Sequence, residues 1–493
     1  MTQSRLKGPP NNRRAWVLTA SAILITVTAA RLWLNFRHTL TPGMDGAYYP
    51  LQTWWLIEHG KLMFHDLPLF FWLNSLLAHL IRFITGSTLN DAVIFSSRLI
   101  DGVAQPWSAL PIMMLGYAWS SGRREALPGC AAAAVLAVMS PPIMRMASDF
   151  QKNSLGLVWM VFALWAMRNA MAHRPSVRRW GLLCLFILLS GLTHIGAFGV
   201  TCVMLGATAI AYRLAGDSLR PTRTDMIVLG GMAGLAAALI GAMLWLEPVR
   251  TVYLLGTPWR VIHAGQLRLS PPTVAASVVI YSLLVLVVRQ AWRDRDVMRC
   301  DRAVVTGAAV AVAMLTFPFL QGDYALRFML MSPVPGAVLV AFVMARRAEA
   351  GKARWPAHAL VAVTVPLALI SPMMMLGPVL STSAFNELNR MRDQVPDPAG
   401  TLIVAPHGVE FWAGLVMHTP VSWSRIPDDA FTQYARVLIL EPKPGPAMDR
   451  RPPPPGPDGH GPPGNAGSEL KVPADAKLIP GGESFNLYEL PRP

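Results

Sequence analysis

Apolar runs close to twenty residues long recur along this chain, and short arginine-rich loops separate them. About twenty helical residues cross the hydrocarbon core of a bilayer, and a backbone inside that core must satisfy its own polar groups. The runs at 15–34, 96–119, 128–145, 154–171, 180–193, 196–213, 224–246, 272–290, 302–319, 326–345 and 356–377 therefore predict an all-α polytopic membrane protein of about eleven transmembrane helices. Only 14% of the 493 residues are charged, where a soluble domain carries about 25%. The net charge of +15 follows membrane topology. Arg13 and Arg14, Arg123 and Arg124, Arg178 and Arg179, Arg293 and Arg295, and Arg346 and Arg347 fall in alternate connections, as cytoplasmic loops demand. That placement argues against nucleic-acid binding. Cys130, Cys184, Cys202 and Cys300 show no metal-ligand or disulfide spacing.

The run at 67–85 is apolar enough to span, yet a span there would turn every later basic loop outward. It is predicted to lie at the outer interface. The N-terminus is then cytoplasmic, and residues 35–95 form a large extracytoplasmic loop within a transmembrane domain covering 1–377. Residues 378–493 read as a small extracytoplasmic α/β domain. It has a helix over 382–395, buried strands at 401–406 and 435–441, a Pro/Gly-rich insertion at 442–468 that packs no core, and a last alternating strand in "SFNLYEL".

The densest polar and aromatic cluster is "TPGMDGAYYPLQTWWLIEHGKLMFHDLPLFFWL", Thr41 to Leu73, just outside the first span. Asp45 follows a Pro-Gly turn there. A carboxylate at that place serves as a base, and burial among Trp and Tyr strengthens it; the competing role is an N-cap for the helix that follows. His65 and Asp66 face the same compartment. Asp149, in "RMASDFQKNSL", stands at another outer loop, with Arg145 and Lys152 beside it to pair with it or meet a phosphate; capping the helix from Gln151 is its alternative role. His194 sits at a tight outer turn, as a functional group or a structural hydrogen-bonder. Arg327, near the outer end of a span, serves either to bind a ligand anion or to pair with Asp323. Arg250, Arg260, His263 and Arg268 make the 247–271 loop basic despite its outward side. "APHGVEFWAG", Ala405 to Gly414, reads as a fold feature of the outer domain.

In order along the chain stand Asp45 and Tyr49, then "DLPLFFWL" (Asp66 to Leu73), then Gly86, Asn90, Ala92, Arg98 and Leu99. This series resembles the GT-C membrane glycosyltransferases, and within them the protein O-mannosyltransferase and lipid A aminoarabinose transferase branch, over roughly residues 15–200. Two positions depart from the pattern: Gly46 stands where the family often has a second acid, and Leu67 replaces the first proline of a Pro-Pro pair. The resemblance implies transfer of a sugar from a polyprenyl-phosphate donor to a glycan, lipid or protein acceptor outside the membrane. Asp45 would be the base, Asp149 a second acid or acceptor orienter, and Tyr49, His65, Asp66, Lys152, His194 and Arg327 would line the substrates, the donor's phosphate included. One clear acid does not specify a cation site, so a divalent metal stays open. The Arg-, Ala- and Pro-rich composition points to a bacterial inner membrane. Two other readings remain: a transporter or flippase of lipid-linked precursors, against which stand the outer placement of the ionisable residues and the lack of repeated halves, and a non-catalytic scaffold of the same shape.

Overall fold

The computed structural model describes residues 11–174, 176–216, 223–246, 248–256, 271–319, 322–349, 354–375, 377–443, 470, 472–479 and 482–492. Arg260, His263, Arg268 and most of the Pro/Gly-rich insertion lie outside the described residues, as do the side chains of Arg250 and Asp323.

Helix α1 (Asn11–Phe36) opens the bundle. Two shorter helices follow outside it, α2 (Tyr48–His59) and α3 (Leu69–Thr85), each closed by a left-handed glycine, Gly60 and Gly86. The expected span at 96–119 is two helices, α4 (Leu89–Ala104) and α5 (Ala109–Trp119), joined by a 3-10 turn through Pro106. The pair Pro141–Pro142 likewise breaks the next span into α6 (Leu127–Met139) and α7 (Pro141–Arg145), since neither proline continues the ladder. Then come α8 (Gln151–Ala172), α9 (Val177–Thr193), α10 (Ile195–Leu214), α11 (Arg223–Leu246), α12 (Pro248–Leu255) and α13 (Pro271–Arg293). The bundle ends with α14 (Arg299–Leu315), α15 (Gly322–Met331), α16 (Pro333–Glu349) and α17 (Arg354–Met375). Among the described residues, six helical stretches are long and apolar enough to cross a membrane: Asn12–Phe36, Arg124–Arg145, Gln151–Ala172, Ile195–Leu214, Val274–Arg293 and Leu326–Ala348. This is a multi-pass membrane protein. Helix α3 turns Asn74 and Phe70 inward and leaves Leu76, Phe83 and Ile84 exposed on its other side.

A buried polar knot holds the end of the bundle that α1 shares with α4 and α7. Arg31 is fully buried and reaches Asp101 on α4 at 3.1 Å and the Ile143 carbonyl at 3.1 Å. Asn35 donates to the same carboxylate at 2.9 Å, as does the Ser148 amide at 3.1 Å. Buried charges persist only when so paired. One turn further on, Arg98 donates to the carbonyls of Asn35, His38 and Thr39, which satisfies the C-terminal end of α1 and sets the direction of the loop that follows.

The C-terminal layer begins with α18 (Thr382–Met391), capped by Ser381. Its strands are β1 (Thr401–Ala405), β2 (Val421–Trp423), β3 (Arg436–Pro442), β4 (Lys477–Ile479) and β5 (Phe485–Glu489), in the sheet order β2-β1-β3-β5-β4. β1 pairs in parallel with β2 and β3, while β5 runs antiparallel between β3 and β4. β1 is buried at all five positions, the pattern of a parallel strand covered on both faces. Helix α19 (Val409–Met417) links β1 to β2, and the single turn α20 (Ala430–Gln433) precedes β3. Ala47, Leu51 and Trp54, in and just before α2, share one hydrophobic core with Leu388, Ile403, Trp412, Leu415 and Leu438.

Candidate active site

The loop from Thr41 to Ala47 is pinned at three places. The Gly43 amide donates to the Gly377 carbonyl at 2.9 Å. Gly43 has φ +91°, and a Cβ there would fall on the Asp149 carboxylate. The Asp45 amide donates to Asp149 Oδ1 at 3.1 Å, and Arg145 takes Oδ2 at 2.8 Å. Neither acid is a helix cap: the N-cap positions of α2 and α8 are Ala47 and Phe150, with no side-chain cap at either. Gly46 explains one departure from the family pattern. A side chain there would meet the carbonyl oxygens of Thr41 and Pro42 at 2.7 Å, so this turn has no room for a second acid. Leu67 explains the other, because its amide donates to Asp66 Oδ1 at 2.8 Å, which a proline cannot do.

The Asp45 side chain is 26% exposed. Its Oδ1 lies 3.6 Å from His407 Nε2, and His407 Nδ1 lies 2.9 Å from Glu410 Oε1. Burial, with repulsion from Asp149, pushes the Asp45 pKa up to about 6 against the opposing pull of His407 and Arg327. Burial also raises the Glu410 pKa. Burial works to lower that of His407, but the hydrogen bond and charge of Glu410, with Asp45 and Asp149, outweigh it and raise it.

A second cluster stands beside the first. Tyr48 and Lys152 both donate to Asp66 Oδ2, and Asp66 and Lys152 are buried. The Lys152 ammonium lies 5.4 Å from the Tyr48 ring centroid and 5.5 Å from that of Phe71. Tyr49 donates to the Asp149 carbonyl at 3.2 Å, so α2 touches both clusters. Burial, with Asp45 and Asp66 nearby, raises the Tyr49 pKa well above its ordinary value, which keeps the phenol protonated as a donor. Arg327 covers the Phe150 ring at 5.4 Å, next to Asp149.

Of the residues expected from sequence, the structure thus gathers Asp45, Asp149, Tyr49, Asp66, Lys152 and Arg327. His194 is placed otherwise: its Nδ1 accepts the Ala197 amide at 3.1 Å and caps α10. His65 is exposed. Gly86, Asn90 and Arg98 are framework. Asn90 reaches the Leu415 carbonyl at 3.2 Å and so ties α4 to the C-terminal layer. Two residues of "APHGVEFWAG", His407 and Glu410, lie by Asp45, so this stretch is more than a fold feature of the C-terminal layer. The available signal was their place in the loop after a buried parallel strand, where α/β sheets present ligand-binding groups.

The fold is that of the GT-C membrane glycosyltransferases. The oligosaccharyltransferase of Archaeoglobus fulgidus, solved in complex with Zn and sulfate, superposes with a TM-score of 0.53 at 14% identity over 85% of this chain and 68% of its own. ArnT of Cupriavidus metallidurans bound to undecaprenyl phosphate gives 0.53 at 12% identity over 96% of this chain and 98% of its own. Its apo state gives 0.54 at 12% identity over 97% and 98%. At the level of sequence, no family model and no curated protein matches the chain.

Proposed function

We propose that this chain is a membrane glycosyltransferase that moves a sugar from a polyprenyl-phosphate donor to an acceptor hydroxyl on the extracytoplasmic face, with Asp45 as catalytic base. The carrying observation is a partly exposed carboxylate just beyond the end of α1, fixed through its own amide by Asp149 and raised to a pKa of about 6. A base works best when its pKa lies near the operating pH. The acceptor oxygen attacks the anomeric carbon, the bond from that carbon to the phosphate oxygen breaks, the acceptor proton passes to Asp45, and polyprenyl phosphate leaves. Inversion follows from a single displacement. Lys152 and Arg327 are the cations that would meet the phosphate, and Arg145 holds Asp149 in place. The ArnT structure with undecaprenyl phosphate supports a donor of that class.

The A. fulgidus enzyme binds Zn, but the residues here fit a cation poorly. Both Asp149 oxygens are engaged, the Gly46 turn excludes a second acid, and among the described residues no group of three His, Cys, Asp or Glu gathers as ligands. No step runs through a metal. The reading keeps eleven spans, a cytoplasmic N-terminus, a periplasmic layer from residue 378, and a bacterial inner membrane.

The test supplies labelled polyprenyl-phosphate sugars to membranes carrying the wild-type chain or Asp45→Asn. One donor should be used, and the variant should lose about 10²-fold or more of the transfer at equal expression. Transfer from no donor by the wild type would favour the scaffold or transporter reading, and full transfer by the variant would remove Asp45 from the chemistry.

A further inference from the structure

We infer that His407, oriented by Glu410, is a positioning residue that the C-terminal layer contributes to the Asp45 carboxylate, holding Oδ1 so that Oδ2 is left to take the acceptor's proton. This rests on the glycosyltransferase reading above. The geometry is built from both sides. Glu410 is 1% exposed, and its Oε2 has no hydrogen-bond partner among the described residues. His407 Nδ1–H is the side-chain donor to the buried carboxylate, and that hydrogen bond fixes the imidazole plane. The ring is further held against Trp423 at 4.5 Å and Phe411 at 5.5 Å between centroids. Nε2 then points at Asp45 Oδ1 at 3.6 Å, an ion-pair distance that closure on substrate can shorten.

The pressed contact next door sets the register of this pair. Gly408 has φ +90°, and a Cβ on it would meet Met44 Sδ at 2.8 Å and the Met44 carbonyl at 3.2 Å. The residue after His407 and the residue before Asp45 are thus in van der Waals contact through a position that only glycine fills easily. The charged groups that face Asp45 are His407 and Glu410 from the C-terminal layer, Asp149 from the turn before α8, which Arg145 at the end of α7 pairs, and Arg327 from α15. His407 is the cation among them that comes from outside the transmembrane bundle. Its charge favours the ionised, proton-accepting form of Asp45.

The experiment measures transfer by purified full-length His407→Gln and Glu410→Gln proteins against pH, beside wild type and Asp45→Asn. Each of the first two should keep the donor KM and lose about ten- to a hundredfold in kcat. In His407→Gln the acid limb of kcat/KM should rise by about one pH unit, as expected for a neighbouring positive charge lost from a partly solvated site, while in Glu410→Gln the limb should move less, because the lost carboxylate itself raised the Asp45 pKa. Glu410→Gln preserves shape, so its loss in kcat at unchanged donor KM carries the test if His407→Gln does not fold. A limb at the wild-type pH, with kcat lowered only in proportion to inactive protein or not at all, would overturn the inference. If Asp45→Asn retains transfer, the parent reading fails instead. An inactive Asp45→Asn beside a wild-type profile for His407→Gln would sink this inference alone.

Discussion

Asp45→Asn should make the protein inactive and more stable at once. Folding raises the Asp45 pKa from 3.8 to about 6. A carboxyl shifted in that direction binds its proton more tightly in the folded chain than in the unfolded one. Its contribution to stability is present in full below 3.8 and is lost as pH rises towards 6. At pH 8 the wild type carries the whole penalty of an ionised carboxylate in this site. A shift of roughly two units corresponds to about 3 kcal/mol. Near pH 4.5 the folded carboxyl is mostly protonated and the penalty is about 1 kcal/mol. Asparagine never ionises, so the variant should gain about 3 kcal/mol at pH 8 and about a third of that at pH 4.5. Thermal unfolding of the two proteins in the same detergent at both pH values reads this as a rise of a few degrees that shrinks on acidification. A variant less stable than wild type at pH 8, or a gain equal at both pH values, would refute the assignment of Asp45 as a destabilised, poised base.

Three other perturbations separate framework from chemistry. Gly43→Ala puts a methyl group on the Asp149 carboxylate and strains a φ of +91°, so it should abolish transfer and cost about 2 kcal/mol or more in thermal unfolding. Asp66→Asn leaves Lys152 buried without its counter-charge, and a loss of about 3–5 kcal/mol is expected in the same assay. Arg98→Met frees the carbonyls at the end of α1, and limited proteolysis within residues 37–47 should become faster than in wild type.

The sequence made the bundle legible wherever hydrophobicity extends over a full span, and it made β1 and β3 legible because a run such as Thr401–Ala405 is apolar throughout. β2 and β4, of three residues each, are too short to show a period. Asp45 and Asp149 stood out as acids in the loops beyond span ends, and Tyr49 through its place in the family pattern. Whether Asp45 and Asp149 were caps or partners was not legible, since it depends on the Asp45 amide meeting a carboxylate on another helix. The role of His407 was not legible for the same reason on a larger scale: its place after a buried strand shows in the sequence, but its partner Asp45 lies hundreds of residues earlier, and no local pattern records that distance. Arg31 was read as part of an apolar segment, and only Asp101 from α4 makes its burial tolerable.

The shared core of α2 and the C-terminal layer also orders events at the ribosome. Leu51 and Trp54 emerge long before Trp412 and Leu438, which cover them, and β5, which sits inside the sheet, is among the last segments made. At about 5–20 residues per second, tens of seconds separate the two halves of that core. Through this interval the segment between α1 and α3 keeps its apolar face uncovered, and the Asp45–His407 pair cannot form until the carboxyl-terminal layer has been made. A chain truncated within the Pro/Gly-rich segment would lack β5 and insert its bundle, yet leave that nascent loop permanently without its cover.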